Sequence, residues 1–108
     1  MAEVRYYLNP RGRSPFETWF LKLGKAAAAK ITVSLARLEQ DNTSNVKSVG
    51  AGVQELRVNW GPGYRVYFGF DGETIVVLLN GGEKKRQQLD IEEAKVLWLD
   101  YKQRKLEN

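Results

Sequence analysis

Residues 60–68 read WGPGYRVYF and place one guanidinium, Arg65, and one phenol, Tyr67, in an otherwise apolar run. Arg57 lies just upstream in the tripeptide ELR, and Lys84, Lys85 and Arg86 follow the run VVLLNGGE. Lys47 sits in the segment before them. Cations of this kind stabilise charge that grows on phosphoryl oxygens, and a tyrosine, a carboxylate or a lysine of lowered pKa can move a proton. What the chain lacks narrows the chemistry further. It contains no His and no Cys. Ser–His and Cys–His nucleophilic pairs, thiolates, disulfides and His or Cys metal ligands are therefore excluded. No metal and no cofactor are expected. Proton transfer at neutral pH falls to Lys, Arg, Tyr, Asp or Glu.

The wider composition is that of a small folded protein. The 108 residues are 43% hydrophobic, enough for a core in one compact domain spanning residues 1–108. The formal charge of +4 is compatible with a polyanion partner without requiring one. No apolar run approaches the ~18 residues of a membrane span, and no leader-like stretch opens the chain. A cytoplasmic protein with no membrane partner is expected.

The elements that must position these residues follow from periodicity. EVRYYL at residues 3–8 alternates and predicts a first strand. Ser14-Pro15-Phe16-Glu17 predicts a helix start, with Phe16, Trp19, Phe20 and Leu23 on one face and Gly24 as the stop. A second helix is expected from about Lys25 to Glu39, with Ala28, Ile31, Leu35 and Leu38 inward. Residues 41–52 read as a polar connector. Three strands follow, over Val53–Trp60, Tyr64–Phe70 and Glu73–Asn80, joined by Gly61-Pro62-Gly63 and Asp71-Gly72. Gly81-Gly82 is expected to break the last strand, and both glycine groups to need unusual backbone angles. Asp90, with an acidic third position at Glu93, predicts the cap of a final helix that buries Ala94, Leu97, Trp98 and Tyr101 and ends in a frayed basic tail. The order β-α-α-β-β-β-α argues for an α+β fold.

Alternation then sorts the side chains. If Leu56, Val58, Tyr64, Val66 and Phe68 face the helical hairpin, Arg57, Arg65 and Tyr67 face the other way. A two-helix hairpin covers one face of a small sheet, so the other face is expected to stay at least partly open. Such a face, rimmed by Lys84, Lys85, Arg86 and Lys47, suits a phosphate backbone with stacked bases. The pattern alone leaves a plain solvated polar face equally open. Glu83-Lys84-Lys85-Arg86 by itself reads as a solvated turn, the Phe16/Trp19/Phe20 stripe as core, and Asp90 and Glu93 as caps rather than catalytic acids.

The segments GVQELRVNWGPGYRVYF and VVLLNGGEKKRQQLDIEEA, with Lys47-Ser48-Val49-Gly50 before them, resemble the RelE/ParE toxin superfamily of bacterial type II toxin–antitoxin modules. The likeness is strongest to its HigB-like, phage Gp49-like "addiction module killer" branch and covers roughly residues 45–98. The resemblance implies a RelE-like twisted antiparallel sheet with a helical hairpin on one face and a C-terminal helix. It implies a toxin that is a ribosome-dependent mRNA endoribonuclease, metal-independent, with attack by the RNA 2′-hydroxyl. Its implied partners are the ribosome, mRNA and a cognate antitoxin, usually a small helix-turn-helix protein, with operator DNA reached only through the antitoxin complex. ParE-like members instead inhibit DNA gyrase without cleaving RNA, and a non-toxic homologue that only binds its antitoxin is a third outcome. Residue by residue, the resemblance implies catalytic roles for Arg65, Lys84 and Arg57, with Lys85 as a one-residue alternative to Lys84. Lys47, Lys85 and Arg86 are read as RNA-binding. RelE has a tyrosine shortly after the last basic cluster, where this chain has Gln88-Leu89-Asp90. Tyr67 is read as its substitute, and Tyr67, Glu83 or a lysine as the base.

Overall fold

A computed structural model of the protein describes residues 1–107. Its elements are β1 (Glu3–Tyr6), α1 (Pro15–Phe20), α2 (Lys25–Glu39), β2 (Val46–Gly50), β3 (Val53–Val58), β4 (Tyr64–Asp71), β5 (Ile75–Glu83) and α3 (Gln87–Glu107). A single 3₁₀ turn, Lys84–Arg86, leads into α3. The architecture is α+β, with one sheet of five strands in the order β1-β5-β4-β3-β2. β2, β3, β4 and β5 pair antiparallel, whereas β1 pairs with β5 in parallel.

Helix α1 starts as its sequence dictates. The Ser14 hydroxyl accepts from the Glu17 amide at 3.0 Å, and Pro15 occupies the first turn, where no amide donor is needed. In α2 the buried residues are Ala27, Ile31 and Leu38, with Leu35 half-buried, so the inward face is turned by about one residue from the Ala28 face expected.

Two features depart from the sequence reading. The polar connector contains β2, an edge strand in which Val46 and Val49 are half-buried while Lys47 and Ser48 are exposed. Polar composition is what an edge strand with one solvated side carries, and an irregular register between Ser48 and Gly50 interrupts the alternation that would have revealed it. In addition, β5 runs through Gly81 and Gly82 to Glu83 instead of breaking there. Neither glycine has positive φ, unlike Gly61 and Gly63 in the turn before β4, which do. Their requirement is space. A Cβ on Gly81 would lie 2.3 Å from the Trp19 ring, and one on Gly82 would lie 1.9 Å from Asp90 Oδ2. The pair lets a helix side chain from each side of the sheet touch the same strand.

The sheet has a core on both faces. On one, Phe16, Ile31, Leu38, Leu56, Val66, Phe68, Val76 and Leu78 pack beneath α1 and α2. On the other, Tyr7, Val53, Tyr67, Val77, Leu79, Ile91, Ala94 and Trp98 pack beneath α3. The expectation of an open second face is thus corrected: α3 covers it. Gly69 and Gly52 make this possible, because a Cβ on either would come within 2.8 Å of Trp98. The far half of α3 is tied down by Tyr7, whose hydroxyl donates to Asp100 at 2.6 Å, and by Tyr101, which donates to Asp71 at 2.5 Å. Lys105 pairs with Asp71 as well. The helix therefore continues to Glu107 where a frayed tail was expected. No helix among the described residues is long and apolar enough to cross a membrane.

Candidate functional site

Sheet register assembles the site in two rows. Lys47, Glu55, Tyr67 and Asn80 are successive cross-strand partners from β2 to β5. Arg57, Arg65 and Gly82 form the neighbouring row. A bulge in β5, where Tyr67 pairs with Asn80 but Phe68 with Leu78, leaves Leu79 without a partner in the ladder. It lets Leu79 and Asn80 both serve the α3 side: Leu79 joins the core there, and Asn80 Nδ2 donates to the Asp90 carbonyl at 3.2 Å.

The first row is polar and almost dry. Glu55 is 1% exposed and Tyr67 fully buried. Glu55 Oε2 accepts from the Tyr67 hydroxyl at 3.2 Å and from Gln87 Nε2, at the start of α3, at 2.8 Å. Its other oxygen lies 3.9 Å from Arg65 Nε. A carboxylate in this position requires such partners, because an uncompensated buried charge costs several kcal/mol. Burial first, and then the Glu55 charge, push the Tyr67 hydroxyl well above its ordinary pKa. Tyr67 therefore stays protonated as a donor to Glu55. Its parity is as expected, but it lies within the core rather than on an accessible face.

Arg65 is likewise on the expected face yet only 6% exposed. One end of its guanidinium aims at Glu55, while the other reaches back to the Tyr64 carbonyl at 3.4 Å. A Cβ placed on Gly63 would sit 3.7 Å from that same end and 3.3 Å from Lys84 Cβ, so Arg65 and Lys84 meet at the turn. The Lys84 amide fixes the approach by donating to the Gly63 carbonyl at 2.8 Å. Arg57, opposite Arg65, is exposed. The structure thus brings Arg65, Lys84 and Arg57 to one corner of the sheet, with Arg65 buried and the other two exposed at the rim.

The remaining candidates are spread more widely. Lys47 is exposed on the edge strand beside Glu55. Lys85 is exposed on the 3₁₀ turn and lies 3.8 Å from Glu83. Arg86, also exposed, lies 3.9 Å from Asp90 Oδ1. Glu83 is half-buried and engaged with Lys85.

Two acidic residues of this cluster escaped the sequence reading. Glu55 has no role in the sequence reading; its position two residues before Arg57, on a strand parity shared with Arg65, is the available signal. Asp90 was assigned to a helix cap. It lies instead inside the first turn of α3, 5% exposed, over Gly82. Burial raises its pKa, the Arg86 charge opposes that, and Glu93 adds to it. Arg65 Nε, Asn80 Oδ1 and Asp90 Oδ2 are buried without hydrogen-bond partners among the described residues. Unsatisfied polar atoms are rare in a folded interior, and three in one cluster mark a place where stability has not been maximised. No group of acidic residues suited to a metal ion occurs among the described residues.

The model of one protein family matches residues 18–97, which takes in the second half of α1, all of α2 to β5 and the first half of α3. The chain belongs to the phage-derived protein Gp49-like family (DUF891). This family is associated with toxin–antitoxin modules. A relative from Haemophilus influenzae (strain ATCC 51907 / DSM 11121 / KW20 / Rd), described as an uncharacterized protein, is 43% identical over 83 residues. The match covers 76% of this chain and 84% of the relative. The Gp49-like match includes every residue of the two rows and Asp90, so the cluster lies within the shared part of the chain.

Proposed function

We propose that this Gp49-like protein is the toxin of a type II toxin–antitoxin module, of RelE-like fold and the HigB-like branch. It acts as a metal-independent endoribonuclease on ribosome-bound mRNA in the cytoplasm and is neutralised by a cognate antitoxin. The observation that carries this reading is the corner where Arg65, held from behind by buried Glu55, meets Lys84 and Arg57 at the rim. An arginine fixed in this way is a preorganised charge, which is what a phosphorane-like transition state needs in a site without histidine. In the reaction the RNA 2′-oxygen attacks phosphorus and the bond from phosphorus to the 5′-oxygen breaks. The products are a 2′,3′-cyclic phosphate and a 5′-hydroxyl. The 2′-hydroxyl proton goes to a base and the departing 5′-oxygen takes up a proton. Asp90, whose pKa is raised and whose Oδ2 has no partner among the described residues, is the group in the cluster suited to exchange a proton. Arg65 and Lys84 carry the growing negative charge, and Arg57 orients the strand.

The test is inducible expression with mapping of RNA 5′ ends, comparing the wild-type chain with Arg57→Ala/Lys84→Ala. Cuts within codons that vanish in the variant, together with growth arrest, are the expected result. Growth arrest without RNA cuts, accompanied by stabilised gyrase–DNA cleavage complexes, would overturn the nuclease reading.

A further inference from the structure

A second cationic site lies around the edge of β3 from the first. Helix α2 and the end of β3 enclose a cleft of about 300 Å³ lined by Lys30, Arg37, Arg57, Asn45, Asn59 and Trp60, among others. None of its lining residues is acidic. Among the described residues, Lys30, Arg37 and Arg57 take part in no ion pair. A smaller recess of about 90 Å³ continues the cleft past Arg37 to Asn42. Lys30 and Arg37 are seven positions apart on α2, hence on one face and about 10 Å apart along its axis. Trp60 is 37% exposed and stacks on Tyr64 with ring centres 6.4 Å apart, which steadies its ring where it lines the cleft.

Lys30 and Arg37 on one helix face, with Arg57 also in the lining and no carboxylate among it, make the cleft cationic and favour a bound polyanion. Cations that follow a groove beside a fixed aromatic ring are the chemistry that holds single-stranded nucleic acid: phosphates on the charges, a base on the ring. Arg57 belongs both to this cleft and to the row that contains Arg65. We propose that the α2–β3 cleft is a non-catalytic subsite for a single-stranded RNA backbone, holding phosphates next to the segment presented to Arg65. This inference rests on the reading of the Arg65 corner as an RNA site.

The test uses the purified full chain and fluorescent 2′-O-methyl oligoribonucleotides, which cannot be cut, of about 5 and about 15 nucleotides. Binding is followed by anisotropy across salt concentrations, beside cleavage of ordinary RNA on ribosomes. Lys30→Gln/Arg37→Gln should weaken the longer oligomer roughly 10-fold near 0.1 M salt. The log–log salt slope should fall by about 1.4, the equivalent of two phosphates on a single strand. Trp60→Ala should weaken binding at an unchanged slope. An unchanged slope in the double variant, or no binding of the longer oligomer by the wild-type chain, overturns the subsite. Loss of binding to polyglutamate with RNA binding intact would assign the cleft to an acidic protein segment and also overturn it. The two readings fail separately: a wild-type chain that cuts no RNA but shows the predicted slope change loses only the nuclease assignment. Normal cutting with no slope change loses only the subsite.

Discussion

The two faces of the sheet are built from the same strands and do different work. The face under α1 and α2 is closed by aliphatic and aromatic side chains alone. The face under α3 has an apolar half around Trp98 and a polar half around Glu55, Arg65 and Asp90. The first stabilises the fold with no chemistry to offer. The second gives up some burial of apolar surface to hold charges in fixed positions, and three of its polar atoms lack partners among the described residues. The difference predicts that substitutions on the first face cost stability alone, whereas those on the second also cost activity.

The largest loss of stability is expected on the apolar face. Phe68→Ala removes a fully buried ring and should cost about 3–5 kcal/mol in denaturant unfolding. If the residual folded fraction is assayed, activity per folded molecule should be unchanged. A comparable loss is expected from Glu55→Ala, which strands Arg65 in the interior, at about 3 kcal/mol or more. Here growth arrest should vanish as well. The same coupling makes Arg65→Ala a poor probe of mechanism, since it leaves Glu55 buried without its cation. Arg65→Lys, with stability measured alongside, is the cleaner variant. Next comes Gly81→Ala, whose Cβ would press on Trp19; overpacking of this kind costs about 1–3 kcal/mol and should lower the melting temperature with little change in specific activity.

Asp90→Asn inverts the pattern. Because burial raises the folded-state pKa of Asp90 above its unfolded value, the folded state holds the proton more tightly. The carboxyl therefore weakens the fold at neutral pH, and this penalty is relieved as pH falls through the raised pKa toward the ordinary carboxylate value. Asp90→Asn should raise the melting temperature at neutral pH, remove that acid-side gain and reduce cleavage. Asp71 and Asp100 run the other way. Hydrogen bonds from Lys105 and Tyr101 lower the first, and hydrogen bonds from Tyr7 and Arg104 lower the second. Their stabilisation is full above the ordinary carboxylate pKa and is lost as pH drops through the lowered values. The smallest stability effect belongs to the rim. Arg57→Ala and Lys84→Ala should each change stability by less than about 0.5 kcal/mol while reducing cleavage, and a loss of fold in either would sink the division between faces.

How much of this could be read from sequence depends on how local each signal is. The α1 cap, both helices of the hairpin and the parity of Arg65 and Tyr67 follow from spacing over a few residues, and all are present in the structure. What spacing could not supply was the destination of α3. Its path over the second face depends on Gly52, Gly69 and Gly82 making room for Trp98 and Asp90, contacts between residues remote in the chain. Glycine carries no periodic signal, so a space-giving glycine reads like a turn. The burial of Arg65 and Tyr67, the core position of Glu55 and the loss of Asp90 as a cap all follow from the packing of that one helix, which spacing leaves unplaced. The rim residues Lys84 and Arg57 were legible because exposure leaves them independent of it.

The parallel pairing of β1 with β5 sets a timetable for synthesis. Strand β1 is made well before its partner β5, and the corner is completed only when α3 brings Gln87 to Glu55. The hairpins of β3, β4 and β5 can form from near neighbours, whereas closing β1 onto β5 spans most of the chain and is the slow kind of contact. A nascent chain therefore carries Arg65 before the residues that complete its corner have been made. The corner around Arg65 is thus a late product of folding, assembled after the β3–β4–β5 hairpins that display it.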